Sequence, residues 1–174
     1  MMYQEARPQR ILLPVSPLFL AATLIAALAF NLMPWRTAVG LPDLLALVLA
    51  FWCVHQPRRV SVGTAWLFGI IMDTANGALL GQHAFAYAFM AYAANGLSRR
   101  LLWFGLWPQA LQIFMLLLAT QLLMLGVRMA AGSPFPGFLY FAGSFSAALL
   151  WPLATMVLLA PQRRPETVDE NRPL

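Results

Sequence analysis

Long apolar runs, separated by short turns, constrain this chain more than any other feature of its sequence. Six runs can be delimited, at residues 14–33, 41–54, 60–80, 84–97, 106–127 and 138–160. A membrane-spanning helix needs about 20 mostly apolar residues. The second and fourth runs have 14 residues each, a length that also suits a short or re-entrant segment. Proline or glycine stands at most boundaries, as helix-breaking residues should.

The shortage of charged residues supports a membrane location. Only 10% of the 174 residues are charged, whereas a water-soluble domain carries about 25%. A chain that is 61% hydrophobic has too little polar surface to cover itself in water. A bilayer does not require that cover, so the sequence predicts an integral membrane protein.

The arginines predict how the runs cross the membrane, because positive charge accumulates on the cytoplasmic side. If all six runs cross, only Arg36 and Arg128 fall on one side. The nine on the other side are Arg7, Arg10, Arg58, Arg59, Arg99, Arg100, Arg163, Arg164 and Arg172. Omitting either short run scatters the arginine pairs over both faces. We therefore predict an all-α bundle of six transmembrane helices within residues 1–160, with both termini in the cytoplasm. A polar, disordered cytoplasmic tail is expected over 161–174.

Two carboxylates lie within or near the apolar runs, and both are predicted at the same depth. Asp43 precedes the basic turn after the second run by 12 residues, and Asp73 follows that turn by 13. At about 1.5 Å per helical residue, both lie about 20 Å from the cytoplasmic side, near the outer surface. Asn76, Gln82 and His83 are expected at that level.

The environment of each carboxylate is open to interpretation. A carboxylate that faces lipid costs a few kcal/mol or more. Asp73 therefore either meets interfacial water or is paired inside the bundle, with Arg36, Arg128 or backbone amides. For Asp43, which follows Pro42 at a helix start, capping of the second helix is favoured over a binding role.

Small and aromatic side chains suggest how the helices pack. Small residues recur four apart, a spacing that lets membrane helices approach closely, in Gly77 and Gly81, Ala84 and Ala88, and Gly143 and Ala147. We interpret the aromatic series Phe85, Tyr87, Phe89 and Tyr92 as packing. Aromatic residues also lie near span ends, as interfacial anchors should, at Trp35, Trp103, Trp107 and Tyr140.

Several function classes find no support in the sequence. Cys53 is the single cysteine, so no disulfide framework can form. His55 and His83 are predicted at opposite ends of a helical hairpin, which argues against a shared metal. The sequence has no Gly-rich phosphate loop, HExxH motif or serine elbow, and no nucleic-acid-binding motif. We therefore predict neither enzyme activity nor a cofactor, and no nucleic-acid partner.

Residues 41–100 combine several motifs in a fixed order. A Pro-Asp pair opens a short span, a Trp precedes a basic Pro-Arg-Arg turn, and a Gly-rich span ends in Asp before a Leu-Gly turn and an Ala-rich span. The positions are Pro42, Asp43, Trp52, Pro57, Arg58, Arg59, Gly63, Gly69, Asp73, Leu80, Gly81 and Ala84. This pattern resembles the bacterial rod shape-determining protein MreD family.

The resemblance implies a non-enzymatic inner-membrane subunit of the machinery that elongates rod-shaped cells. Its implied partners are a periplasmic scaffold of the MreC type, an MreB-like filament, peptidoglycan synthases and membrane lipids. Because the family is also similar in fold to the substrate-binding subunits of vitamin importers, a small-molecule binding or transport role is the alternative. The candidate structural or partner-binding residues are Asp43, Asp73, Asn76, His83, Arg58 and Arg59.

Overall fold

The computed structural model describes residues 15–33 and 40–162. Within these ranges all regular structure is helical, which confirms the predicted all-α class. The α-helices are α1 (Pro17–Asn31), α2 (Leu44–His55), α3 (Val62–Asn76), α4 (Gln82–Trp103), α5 (Leu106–Ala130), α6 (Ala142–Leu149) and α7 (Trp151–Leu159). Short 3-10 turns cover Phe138–Phe141 and Ala160–Gln162. Arg36, Trp35 and the predicted tail beyond Gln162 lie outside the described residues.

The hairpin formed by α3 and α4 turns on two glycines. Gly77 ends α3 with φ +59°, and Gly81 precedes α4 with φ +102°, both conformations that favour glycine. A Cβ atom added to either glycine would meet nothing within 4 Å. Our interpretation of this pair as a packing contact was therefore wrong, because these glycines are required by the turn.

Helix α2 forms the centre of the bundle. It is apolar on every side, and nine of its twelve residues are buried, as expected for a helix surrounded by others. Helices α1, α4 and α7 pack around it. The ring of Phe51 lies 5.0 Å from that of Trp52 and 5.8 Å from that of Trp151, so aromatic contacts join α2 to α7.

Helices α1 and α2 are antiparallel and are tied together at both ends. Asn31, the last residue of α1, donates to Asp43 at the start of α2. At the other end, the guanidinium of Arg59 donates to the carbonyl of Val15. We call the first end the carboxylate end and the second the basic end. Since α4 also begins at the carboxylate end, its last turn and the start of α5 lie at the basic end.

The outer surface of the bundle is apolar. Large hydrophobic side chains are exposed on several helices, including Leu18, Ile25, Leu111, Met115 and Phe145. Soluble monomers rarely expose extended apolar surface of this kind. The outer surface is therefore suited to contact with lipid or with other membrane helices.

Helix length and composition support fewer membrane crossings than the six that the sequence predicts. Of the described helices, Leu106–Ala130 is long and apolar enough to cross a bilayer alone. The segments Phe138–Leu149 and Trp151–Gln162, bent by 40°, would add a second crossing if they form one broken span. Helix α2 is only about 18 Å long, from its twelve residues. The count of six crossings and the orientation of the termini stay predictions.

The fourth and sixth apolar runs differ from the helices that the structure shows for them. Helix α4 has 22 residues and continues to Trp103, beyond the run that ends at residue 97. The run from 138 to 160 is broken at Leu150. The cause is Pro152, which has no N–H to donate and whose ring crowds the preceding helical turn.

Candidate functional site

Asp43 joins three helices at the carboxylate end. Its Oδ1 accepts the backbone N–H of Ala46 at 3.0 Å, which makes it the N-cap of α2. The same oxygen accepts Asn31 Nδ2 of α1 at 2.6 Å, and Oδ2 accepts the hydroxyl of Tyr87 on α4 at 2.6 Å. The favoured capping interpretation is therefore correct, and the carboxylate also bonds two other helices.

Asp73 is fully buried and caps α4 from the neighbouring helix. Its Oδ2 accepts the N–H groups of Gly81 at 2.8 Å and Ala84 at 3.3 Å. Its Oδ1 accepts the N–H of His83 at 2.8 Å and lies 2.7 Å from Nδ1 of the same residue. A negative charge is favourable at a helix N-terminus, where free N–H groups and the helix dipole converge. Of the alternatives for Asp73, the structure therefore shows pairing with backbone amides inside the bundle.

His83 and Tyr87 connect the two carboxylates. They lie four residues apart on α4, so their side chains are neighbours on one face. Their ring centroids are 5.9 Å apart in an edge-to-face arrangement. Asp43, Tyr87, His83 and Asp73 therefore form one continuous set of contacts, which we call the carboxylate network. It fixes the beginning of α2, the end of α3 and the first two turns of α4 relative to one another.

The backbones of α3 and α4 come unusually close beside this network. A Cβ atom on Gly69 would lie 2.3 Å from the Cα of Ala84 and 2.5 Å from its nitrogen. Only glycine fits there. Gly69 lies one helical turn before Asp73, so the close approach helps bring the carboxylate within reach of the α4 amides.

A small cavity of about 10 Å³ adjoins Asp43 between α2, α5 and α6. It is lined in part by Thr120, Gln121, Gly143 and Ser144. The hydroxyl of Ser144 donates to Gln121 Oε1 at 2.6 Å, which joins α6 to α5. The volume suits about one water molecule. Asp43 thus borders a cavity that is also lined by residues of α5 and α6.

Some candidate residues lie outside the carboxylate network. Asn76 is exposed at the end of α3, and Gln82 is buried at the start of α4. Among the described residues, the hydrogen bonds of the Asp73 carboxylate go to Gly81, His83 and Ala84 instead. Arg128 forms no ion pair with Asp73 in the described ranges, where the carboxylate is paired with His83. Arg58 and Arg59 lie at the basic end, exposed in the turn after α2.

Sequence reasoning missed Tyr87 of the carboxylate network and Asn31, which donates to Asp43. Tyr87 was assigned to an aromatic packing series, yet the other three members, Phe85, Phe89 and Tyr92, are exposed. Tyr87 alone is buried, with its hydroxyl on Asp43. Its spacing of four residues from His83 was the available signal. Asn31, at the end of an apolar helix, had no comparable signal.

Comparison with known proteins identifies the family. The family model for the rod shape-determining protein MreD matches residues 9–161. A rod shape-determining protein MreD from Haemophilus influenzae is 30% identical over 144 residues, which cover 80% of this chain and 88% of the relative. The chain belongs to the MreD family. No solved structure matches it significantly.

Membership of the MreD family confirms the resemblance found in residues 41–100 and extends it over most of the chain. It gives the protein a role in rod shape determination, as a membrane protein associated with the machinery of cell elongation. MreD proteins are shape-determining structural proteins and not a known enzyme family. The carboxylate network thus joins four helix ends of an MreD-family protein.

Proposed function

We propose that this MreD-family protein crosses the inner membrane six times and docks a periplasmic scaffold protein of the MreC type. Through that contact it helps organise peptidoglycan synthesis, in an assembly that includes an MreB-like filament and the peptidoglycan synthases. Both termini lie in the cytoplasm. The distribution of arginines supports this orientation, since nine fall on one side and two on the other.

The observation that carries the proposal is the buried carboxylate network at the end assigned to the periplasm. Asp73 binds three backbone amides at the start of α4, and Asp43 binds α1 and α4 while it caps α2. Such cross-links hold helix ends in one arrangement. A rigid end lowers the entropy cost of binding a partner, because fewer groups become ordered on association.

The connection between α3 and α4 is the part of this end best placed to meet a partner. Asp73 holds the N–H of Gly81, so the loop is anchored at its base. The loop presents the apolar side chains of Leu79 and Leu80 outward, together with the exposed Asn76. Burying these leucines against a partner would remove apolar surface from water, and the anchored loop would lose little conformational freedom on binding. We assign the docking contact to this loop.

The experiment is co-purification of the full-length protein with the MreC-type protein of the same organism, both in a mild detergent. Leu80→Ala should weaken recovery of the partner several-fold while the folded amount of this protein is unchanged. The matched control is Leu139→Ala, because Leu139 is 69% exposed against 75% for Leu80 and lies in the α5–α6 connection. Equal recovery with Leu80→Ala, or an equal loss with Leu139→Ala, would contradict docking on the α3–α4 loop.

Small-molecule binding is the second candidate, and one observation favours it. A groove of about 490 Å³ lies between α1, α2 and α7, within the range of about 300–1,000 Å³ usual for ligand sites. Its lining is apolar apart from Thr23, whose hydroxyl already donates to Leu20 and accepts from Trp52. Ligand sites usually add convergent polar groups that orient the ligand. The cavity beside Asp43 has room for about one water, so docking remains the better-supported function.

A further inference from the structure

Charge is distributed very unequally between the two ends of the described bundle. Asp43 and Asp73 are the two carboxylates within residues 15–33 and 40–162, and both belong to the carboxylate network. The basic end carries Arg58 and Arg59 after α2 and Arg99 and Arg100 near the end of α4. No described carboxylate lies within 4 Å of these guanidinium groups. Arg58, Arg99 and Arg100 therefore project as exposed positive charges.

Exposed indoles accompany these charges. Trp103 ends α4 and is 92% exposed, and Trp107 in the first turn of α5 is also exposed. Arg99 and Arg100 precede Trp103 by four and three residues, so each arginine is a neighbour of Trp103 on the surface of α4. This surface thus combines guanidinium groups, which bind phosphate through paired N–H groups, with a ring that prefers the membrane interface.

We infer that Arg99, Arg100, Trp103 and Trp107 form a binding site for the headgroup phosphate of an anionic phospholipid. The arginines bind the phosphate, and the indoles contact the glycerol region and the upper acyl chains. An amphipathic lipid matches both chemistries, whereas an acidic protein segment would use the charges and leave the indoles in water. The inference rests on the proposed topology, which places this end at a membrane surface.

The test is native mass spectrometry of the full-length protein with phosphatidylglycerol and, separately, phosphatidylcholine. Phosphatidylglycerol should bind preferentially, and the preference should weaken as ionic strength rises, since exposed charges are screened by salt. The double variant Arg99→Gln with Arg100→Gln should lose on the order of tenfold in phosphatidylglycerol affinity, because each basic residue near an anionic surface strengthens binding several-fold. Replacing both arginines by lysine should retain most of the preference.

The matched control is Arg128→Gln, since Arg128 is exposed at the other end of α5 and should not affect this lipid. Equal binding of the two lipids, full retention by the double glutamine variant, or an equal loss with Arg128→Gln would overturn the inference. Binding of a soluble acidic peptide with the same arginine dependence would also overturn it, in favour of a protein partner. Recovery of the MreC-type partner reports on docking separately, so failure of lipid binding and failure of docking give different results.

Discussion

The carboxylate of Asp73, near the end of α3, contacts both the backbone N–H and the imidazole Nδ1 of His83, at 2.8 and 2.7 Å. Because the other carboxylate oxygen binds Gly81 and Ala84, one side chain satisfies three of the free N–H groups at the start of α4. This relationship explains a buried charge in an apolar chain: the carboxylate replaces, from the neighbouring helix, the cap that α4 lacks at Gly81.

Asp73→Leu should destabilise the fold strongly. It leaves three N–H groups, one buried and two partly buried, without their acceptor, and each buried donor left unsatisfied costs about 1–3 kcal/mol. Asp73→Asn keeps one acceptor oxygen but turns an N–H₂ group toward other donors, so we expect an intermediate loss of about 1–2 kcal/mol. Thermal unfolding in detergent and restoration of rod shape in cells that lack the native protein measure the two effects.

The control for Asp73 is Thr74→Val, on the same turn of α3. The Thr74 side chain is exposed and bonds carbonyls of its own helix, so its loss should change stability little. If Asp73→Leu unfolds at the temperature of the parent and restores rod shape equally well, the cap has no structural role. Loss of rod shape with unchanged stability would instead point to an effect of Asp73 on the α3–α4 loop that is proposed to meet the partner.

Gly69→Ala should separate α3 from α4. The added Cβ would lie 2.3 Å from Ala84 Cα, and relief requires the two backbones to move apart. Overpacking typically costs about 1–3 kcal/mol. Gly63→Ala on the same helix is the matched control, because its Cβ meets nothing within 4 Å. There alanine should be neutral or stabilising by up to about 1 kcal/mol. Equal melting temperatures for the two variants would argue against the close approach.

The level shared by Asp43 and Asp73 could be predicted from the sequence, because helical rise is constant and the turn between α2 and α3 is short. The partners of Asp73 could not be chosen among the alternatives. Backbone amides carry no residue-specific signal, and their approach depends on the turn at Gly77 and Gly81 and on the missing side chain of Gly69. Tyr87 was missed because an aromatic residue in an apolar helix usually contributes through the packing of its ring, and the sequence does not show whether its hydroxyl has a partner.

Helix lengths were predictable where breakers stand at the ends of an apolar run. The fourth helix extends beyond its run because polar residues such as Arg99 and Arg100 continue a helix once its apolar face is packed. The sixth run contains Pro152, which signals a break. Proline is nevertheless tolerated within membrane helices, so hydropathy alone did not reveal the bend.

The membrane topology can be tested with reporter fusions. Fusions after Arg59, Arg100 and Arg164 should report the cytoplasm, and fusions after Arg36 and Gly132 should report the periplasm. The reason is the positive-inside distribution of the arginines. A cytoplasmic signal from the Gly132 fusion would contradict the six-crossing arrangement. A periplasmic signal after Arg59 would show that the short second run, which holds the twelve-residue α2, does not cross as proposed.

Tyr87→Phe tests whether the two halves of the carboxylate network act together. The substitution keeps the buried ring between α2 and α4 and removes the hydroxyl that donates to Asp43 at 2.6 Å. Because the charged Asp43 acceptor loses one donor, the free energy of unfolding should fall by about 1–3 kcal/mol. Tyr92→Phe is the matched control, because Tyr92 lies on the same helix and is 72% exposed. This variant should unfold like the parent.

The double variant Tyr87→Phe with Asp73→Asn then measures the coupling between the two sites, since the effects of neighbouring residues in one network are non-additive. A combined loss of unfolding free energy smaller than the sum of the single losses is expected if His83 transmits the effect between the carboxylates. Strict additivity would mean that Asp43 and Asp73 stabilise their helices independently, and that contact between the His83 and Tyr87 rings does not couple them.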